Sequence, residues 1–175
     1  MNEVIKAMIE RRSIRKFKPD MPSKEDINQI IEAGLYAASG MNKQDAIIVA
    51  VTNKELRDAM SEDNRAIAGM PEGKDPFYGA PVILMVLGDK SSPHYLYDGS
   101  LVMGNLLLAA HALGLGSIWI HRAKQESEMP KYKELLKKLG VEGEWEGIGH
   151  CAIGYIDGEP GKAAPRNDNR VFWVE

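Results

Sequence analysis

The sequence predicts one domain, residues 1–175, in which helices cover both faces of a sheet. Three observations carry this expectation. The chain has 175 residues, 44% of them hydrophobic. A chain of that size buries about 70% of its unfolded surface and needs neither disulfides nor a structural metal. Short all-apolar runs bounded by turn signals alternate with segments of helical periodicity, so the strands are expected to be buried on both faces. Two helical patterns precede the first strand, which argues against a plain doubly wound sheet.

The elements follow in order. Val4, Ile5, Met8 and Ile9 share one helical face, with Glu3, Lys6 and Glu10 opposite. That helix runs into Arg11–Lys18, and Pro19 and Pro22 force a loop. Ser23 is the expected N-cap of a second helix, with Asp26 three residues on and Ile27, Ile30, Ile31, Leu35 and Ala38 at helical spacing. Ser39–Asn42 breaks it, and Ala46–Val51 reads as a buried strand. Thr52 and Asn53 are candidate caps for a third helix reaching about Ala66, with Glu55 completing a capping pattern from Thr52. Residues 69–81, rich in Gly and Pro, form a loop, and Val82–Leu87 is a second strand. After a polar loop over 88–97, Leu101–Leu113 is apolar on nearly every face, and its length favours a buried helix. Gly114 caps it. Ser117–Ile120 is a short strand. Pro130 opens a helix that Gly140 closes, and Ile148–Tyr155 is the last strand. The chain ends in Val171-Phe172-Trp173-Val174.

Composition excludes several classes. Charged residues make up 27% and the formal net charge is −3, which excludes a strongly basic nucleic-acid binder and a disordered acidic tail. The single cysteine, Cys151, rules out an internal disulfide framework and a Cys-based zinc cluster. No apolar run approaches the roughly 18 residues of a membrane helix. The N-terminus lacks the basic-then-apolar layout of a signal peptide. A soluble, cytoplasmic protein is expected.

Arg11–Lys18 carries five basic residues out of eight in a net acidic chain. Arginine forks fit phosphate, and Ser13 adds a hydroxyl. The same cations would equally complement a helix C-terminus. Ser39-Gly40-Met41-Asn42-Lys43-Gln44 gathers hydroxyl, amide and backbone groups that suit a planar heterocycle, although Ser, Gly and Asn also favour a plain helix end and turn. Gly114-Leu115-Gly116 follows a helix and precedes a strand, the reverse of the dinucleotide fingerprint, so it reads as a cap and turn. His94, His111, His121 and His150 form no metal motif, and Cys151 reads as a core residue. Ser13, Ser39 and Ser117 lack a nucleophile elbow. With no acid, base or nucleophile standing out, an enzyme built on this chain would rely on a cofactor.

Arg11-Arg12-Ser13-Ile14-Arg15-Lys16-Phe17 resembles the R-R-S-x-R-x-F signature of the nitroreductase family. Ser39–Gln44 is similar to that family's S-x-x-N-x-Q segment, Gly114–Trp119 to its G-L-G-S-x-W segment, and Ile153-Gly154-Tyr155 with Pro165-Arg166 to its closing strand and basic tail. The four occur in the family's order across essentially the whole chain. The resemblance implies an α+β fold, a three-layer sandwich with a mainly antiparallel sheet covered by helices, assembled as an intertwined homodimer with FMN at the subunit interface. It implies that Arg11, Ser13 and Arg15, with Arg12 in the same stretch, hold the FMN phosphate and ring edge. Arg166 would add a phosphate contact. Ser39, Gly40 and Asn42 would reach the flavin from the partner subunit. Trp119, Ile120 and His121 would lie along it, with backbone N–H groups near N5. The implied activity is hydride transfer from NAD(P)H and ping-pong reduction of a small acceptor such as a nitroaromatic or quinone. A flavin-binding sensor or carrier without turnover, and a flavoenzyme of the same fold that dehalogenates or fragments flavin, are the alternatives. Two departures from the family pattern stand out: Asp45-Ala46 follows Gln44 where Pro-Trp is frequent, and Gly40 replaces a frequent serine. The chain's own pattern also favours a dimer. The Leu101–Leu113 helix needs burial on more than one side, and the apolar C-terminus is expected to dock on a partner.

Overall fold

A computed structural model describes residues 1–175. The sheet consists of β1 (Ala46–Val51), β2 (Val82–Asp89), β3 (Gly116–Ile120) and β4 (Trp145–Gly154). Their spatial order is β1-β2-β4-β3, and every neighbouring pair is antiparallel. Successive side chains on a strand point to opposite faces, so the all-apolar β2 feeds two cores. Ile83, Met85 and Leu87 enter one, and Val82, Leu84 and Val86 the other.

Six helices close the layers: α1 (Glu3–Glu10), α2 (Lys24–Leu35), α3 (Lys54–Ile67), α4 (Tyr95–Ala112), α5 (Ala123–Glu128) and α6 (Pro130–Lys138). The first core takes Met60 of α3, Ala123 of α5 and Tyr132 and Leu136 of α6. The second takes Ile27 and Ile30 of α2 and Val102, Met103, Leu106 and Ala110 of α4. The result is an α+β three-layer sandwich on an antiparallel sheet, as expected. No helix is long and apolar enough to cross a membrane.

Local chemistry fixes the boundaries. The Ser23 Oγ accepts from Asp26 N at 3.0 Å and donates to the Asp26 carboxylate at 2.7 Å, a reciprocal cap contributing about 1 kcal/mol. The cap of α3 is Asn53, whose Oδ1 accepts from Leu56 N at 2.8 Å, rather than the Thr52 pattern. Helix α4 starts at Tyr95, inside the expected polar loop. The buried Asp98 in its first turn accepts from the Gly40 N–H, so tertiary contact offsets poor local patterning. Helix α5 is absent from the sequence expectation because AKQESE carries no apolar stripe. It packs so closely that a Cβ on Gly147 of β4 would collide with the Ala123 backbone.

The 69–81 loop is pinned at its C-terminal half. The Arg57 Nε donates to the Ala80 carbonyl at 2.9 Å, and its guanidinium pairs with Asp75. Asp75 also accepts from Ser61 Oγ at 2.6 Å, Phe77 N at 2.9 Å and Gly79 N at 2.7 Å. Burial pushes the Asp75 carboxyl up, but these donors together hold it below its ordinary value.

Candidate functional site

The basic run sits on the β3 edge of the sheet. Ser13 bridges Ser117 of β3, with Ile14 N donating to the Ser117 carbonyl at 3.0 Å. Phe17 bridges Ile156, just past β4. Ile14 and Phe17 are buried, whereas Ser13, Arg15 and Lys16 are exposed. Two apolar anchors thus hold a cationic strip across the ends of β3 and β4.

Both helix-end and anion readings of that strip find support. The Arg12 Nη1 donates to the carbonyls of Ile9 and Arg11, each at 2.7 Å, closing the end of α1. The Arg12 Nε and Arg11 Nη1, however, are buried without any partner. Buried donors left unpaired are costly, so these two ask for an acceptor. Burial pushes the Cys151 thiol well above its ordinary range, and the Arg11 charge pulls against it. Cys151 is the register partner of Trp119, and Ser13 bridges β3 two residues away at Ser117, which brings the basic run and Trp119 to one edge.

Trp119 is half-buried on the α4 side, its indole seated on Gly149 where a Cβ would collide with it. His121 is exposed and tilted against Trp119 at 5.9 Å. The Ile120 side chain enters the core beside α5 and α6, which leaves only its backbone for any ligand. The backbone N–H groups of His121 and Arg122 donate to nothing within the chain. Arg122 adopts the left-handed region with φ of 79°, uncommon for a residue with a Cβ. Arg122 is absent from the sequence-derived set, since no local pattern marks a positive φ at an arginine.

Ser39, Gly40 and Asn42 lie at the opposite edge, beside β1. The Ser39 Oγ accepts from Gln44 N at 3.0 Å, and the Gly40 N–H donates to both Asp98 carboxylate oxygens at 3.1 Å. Asn42 is exposed with φ of 54°. The Asp45 carboxylate is buried without a partner. Three strand spacings, about 14 Å, separate the two edges, so a single chain does not bring this segment to the arginines. Arg166 is exposed in the tail and donates only to the Ala164 carbonyl, at 2.8 Å. Within one chain, Arg11, Arg12, Ser13, Arg15, Trp119 and His121 therefore gather at one edge, and Ser39, Gly40, Asn42 and Arg166 stand apart.

The gathered set can bind an anion and a flat ring presenting acceptors along one edge. It contains guanidinium donors, two free backbone N–H groups and an indole, but no nucleophile activated by a base.

Residues 8–155 match the sequence pattern of the Nitroreductase family. A protein of Archaeoglobus fulgidus, provisionally named NADH dehydrogenase/NAD(P)H nitroreductase, is 33% identical over 78% of this chain and 77% of its own length. An iodotyrosine deiodinase of Thermotoga neapolitana is 27% identical over 90% of each. Among solved structures, a nitroreductase with bound FMN from Bacteroides fragilis superposes with a TM-score of 0.91, at 27% identity, over 100% of both chains.

Proposed function

The chain belongs to the nitroreductase family, and from that premise we propose that it is an FMN-dependent NAD(P)H oxidoreductase of the cytoplasm, acting on small electron acceptors. The observation that carries this reading is the set of unpaired donors at the β3 edge. The Arg11 Nη1 and Arg12 Nε are buried without acceptors, and the N–H groups of His121 and Arg122 donate to nothing in the chain. A flavin mononucleotide offers the matching chemistry: a dianionic phosphate and a planar ring with acceptors along one edge. Arg11, Ser13 and Arg15 would hold the phosphate and the ring's N1–O2 edge. A guanidinium at that edge favours negative charge on the reduced ring. The free N–H groups would face N5 and its neighbouring carbonyl, and Trp119 would flank the ring.

Bound FMN supplies hydride acceptance from NAD(P)H and onward electron delivery. The protein's part is to hold the ring, to leave one face open and to place positive charge beside it. With a single face of the ring left open, nicotinamide and acceptor would use one pocket in turn, a ping-pong cycle. Nitroaromatics and quinones, flat and electron-poor, fit that use.

The reading needs a second copy of the chain. The Val4, Ile5, Met8 and Ile9 face of α1 is more than half exposed in one chain, and Phe172 and Trp173 are each 83% exposed. Solvent exposure of this extent marks an interface. An intertwined homodimer would cover both and would bring the partner's Ser39, Gly40 and Asn42, with an Arg166, to the flavin.

The test is direct. Purified protein carries a flavin spectrum, or gains one on reconstitution with FMN, and NADH or NADPH bleaches it without air. A colourless protein that cannot be reconstituted overturns the reading. Flavin that neither nicotinamide bleaches turns it into a carrier or sensor. The similarity to an iodotyrosine deiodinase favours one second reading, reductive dehalogenation on the same site. Dithionite-reduced protein reoxidised by a halotyrosine and not by a quinone would establish that instead.

A further inference from the structure

Behind the β3 edge lies a file of buried polar side chains that the flavin reading does not use. Asn64 of α3, Glu126 of α5 and His150 of β4 are each 0% exposed. The Asn64 Nδ2 donates to the His121 carbonyl at 2.9 Å and to Glu126 Oε1 at 2.7 Å. Its Oδ1 accepts from Arg122 Nε at 2.9 Å. One amide thus grips both residues of the turn that leaves β3. Glu126 Oε2 lies 3.0 Å from His150 Nε2, but the two are not aligned as a hydrogen bond, and the His150 Nδ1 has no partner. The Phe77 ring packs on His150 at 5.3 Å.

Stability does not account for this arrangement. A buried carboxylate with one aligned donor contributes less than a well-packed apolar side chain of the same volume. The turn itself is strained, because Arg122 sits in the left-handed region. Such a conformation persists only where its surroundings over-determine it, and it recurs at ligand sites. Its consequence is visible: His121 and Arg122 leave the β4 ladder with both N–H groups unpaired.

We propose that Asn64, backed by Glu126 and His150, is a positioning device that sets the His121–Arg122 turn in advance for the flavin ring. The inference rests on the FMN reading above and extends it to three residues that touch no ligand. Asn64 is the clamp. Glu126 fixes the orientation of its amide, since a carboxylate can only accept and so demands the NH2 side. His150 and Phe77 wall the carboxylate in from the sheet side.

The experiment is a set of FMN affinities measured by flavin fluorescence quenching on the wild-type protein, Asn64→Ala, Arg122→Gly and the double variant. Asn64→Ala is expected to weaken FMN about tenfold, equivalent to about 1.4 kcal/mol. Glycine enters the left-handed region without penalty, so Asn64→Ala is expected to cost less than threefold in FMN affinity when measured against Arg122→Gly. A merely structural asparagine costs the same tenfold in either background, and that outcome overturns the proposal. Glu126→Leu/His150→Leu keeps the question open to test if Asn64→Ala does not fold. The proposal expects its thermal midpoint unchanged or raised while FMN affinity falls at least threefold. FMN affinity that is unchanged, or that falls only as the midpoint falls, overturns it. Wild-type protein that binds no FMN defeats the parent reading. Wild-type binding with an indifferent Asn64→Ala defeats only this inference.

Discussion

Replacing Phe172 and Trp173 with alanine tests the dimer from the side chains upward. Each is 83% exposed in one chain, at the end of a tail that packs on nothing. An aromatic side chain presents about 200 Å², so docking each removes up to ~165 Å², or ~4 kcal/mol at ~25 cal/mol per Å². Halving the sum of the two for incomplete burial and a partly collapsed reference state leaves ~4 kcal/mol per tail. The ordering entropy of the backbone is common to wild type and variant, so it drops out of the comparison. A homodimer loses two such tails at once, ~8 kcal/mol, which raises its dissociation constant about a millionfold. Sedimentation velocity over a concentration series reads this constant, with circular dichroism confirming that the variant remains folded. Equal dissociation constants for the two proteins, or a monomeric wild type, would show that these tails do not hold a dimer together.

Two further outcomes follow from local geometry. Asp75 is held below its ordinary pKa, so its contribution to stability is complete above the unfolded value of about 3.9 and is lost as pH falls through the folded value. Urea unfolding below about pH 4 should therefore fall less steeply with acid in Asp75→Asn than in wild type, and identical slopes would discount the Arg57–Asp75 lock on the 69–81 loop. Gly149→Ala should push the Trp119 indole off its seat, at a cost of about 1–3 kcal/mol. With Trp145 and Trp173 replaced by phenylalanine, a shift of Trp119 emission and weaker FMN binding check this, and unchanged emission would contradict the contact.

Much of the architecture was legible because it is written locally. An all-apolar β2 can only be central and covered on both faces, and Ser23 with Asp26 announces the start of α2. Helix α4 is legible only from Leu101, because its first turns carry Asp98, Gly99 and Ser100 and are held by contact with Gly40 rather than by pattern. Helix α5 had no apolar stripe to find. It is fixed by Ser127 accepting from Gly147 N and by the buried Glu126. The apolar face of α1 is legible as a face, yet no part of its own chain buries it. The cationic strip and the Gly114–Trp119 segment were visible as compact motifs. The Asn64–Glu126–His150 file was not, because its members are separated by 62 and 24 residues and meet only through α3, α5 and β4.

The proposed homodimer would share each flavin site between two copies, arginines from one and the Ser39–Asn42 segment from the other. Its most direct test mixes two defective chains, Arg11→Ala/Arg15→Ala and Ser39→Ala/Asn42→Ala, by unfolding and refolding them together. Each variant alone should bind little FMN. In a mixed dimer one site carries both lesions and the other carries none. Random pairing therefore restores about a quarter of the wild-type FMN stoichiometry, at wild-type affinity. A mixture that binds no more FMN than its two parents would contradict the shared site.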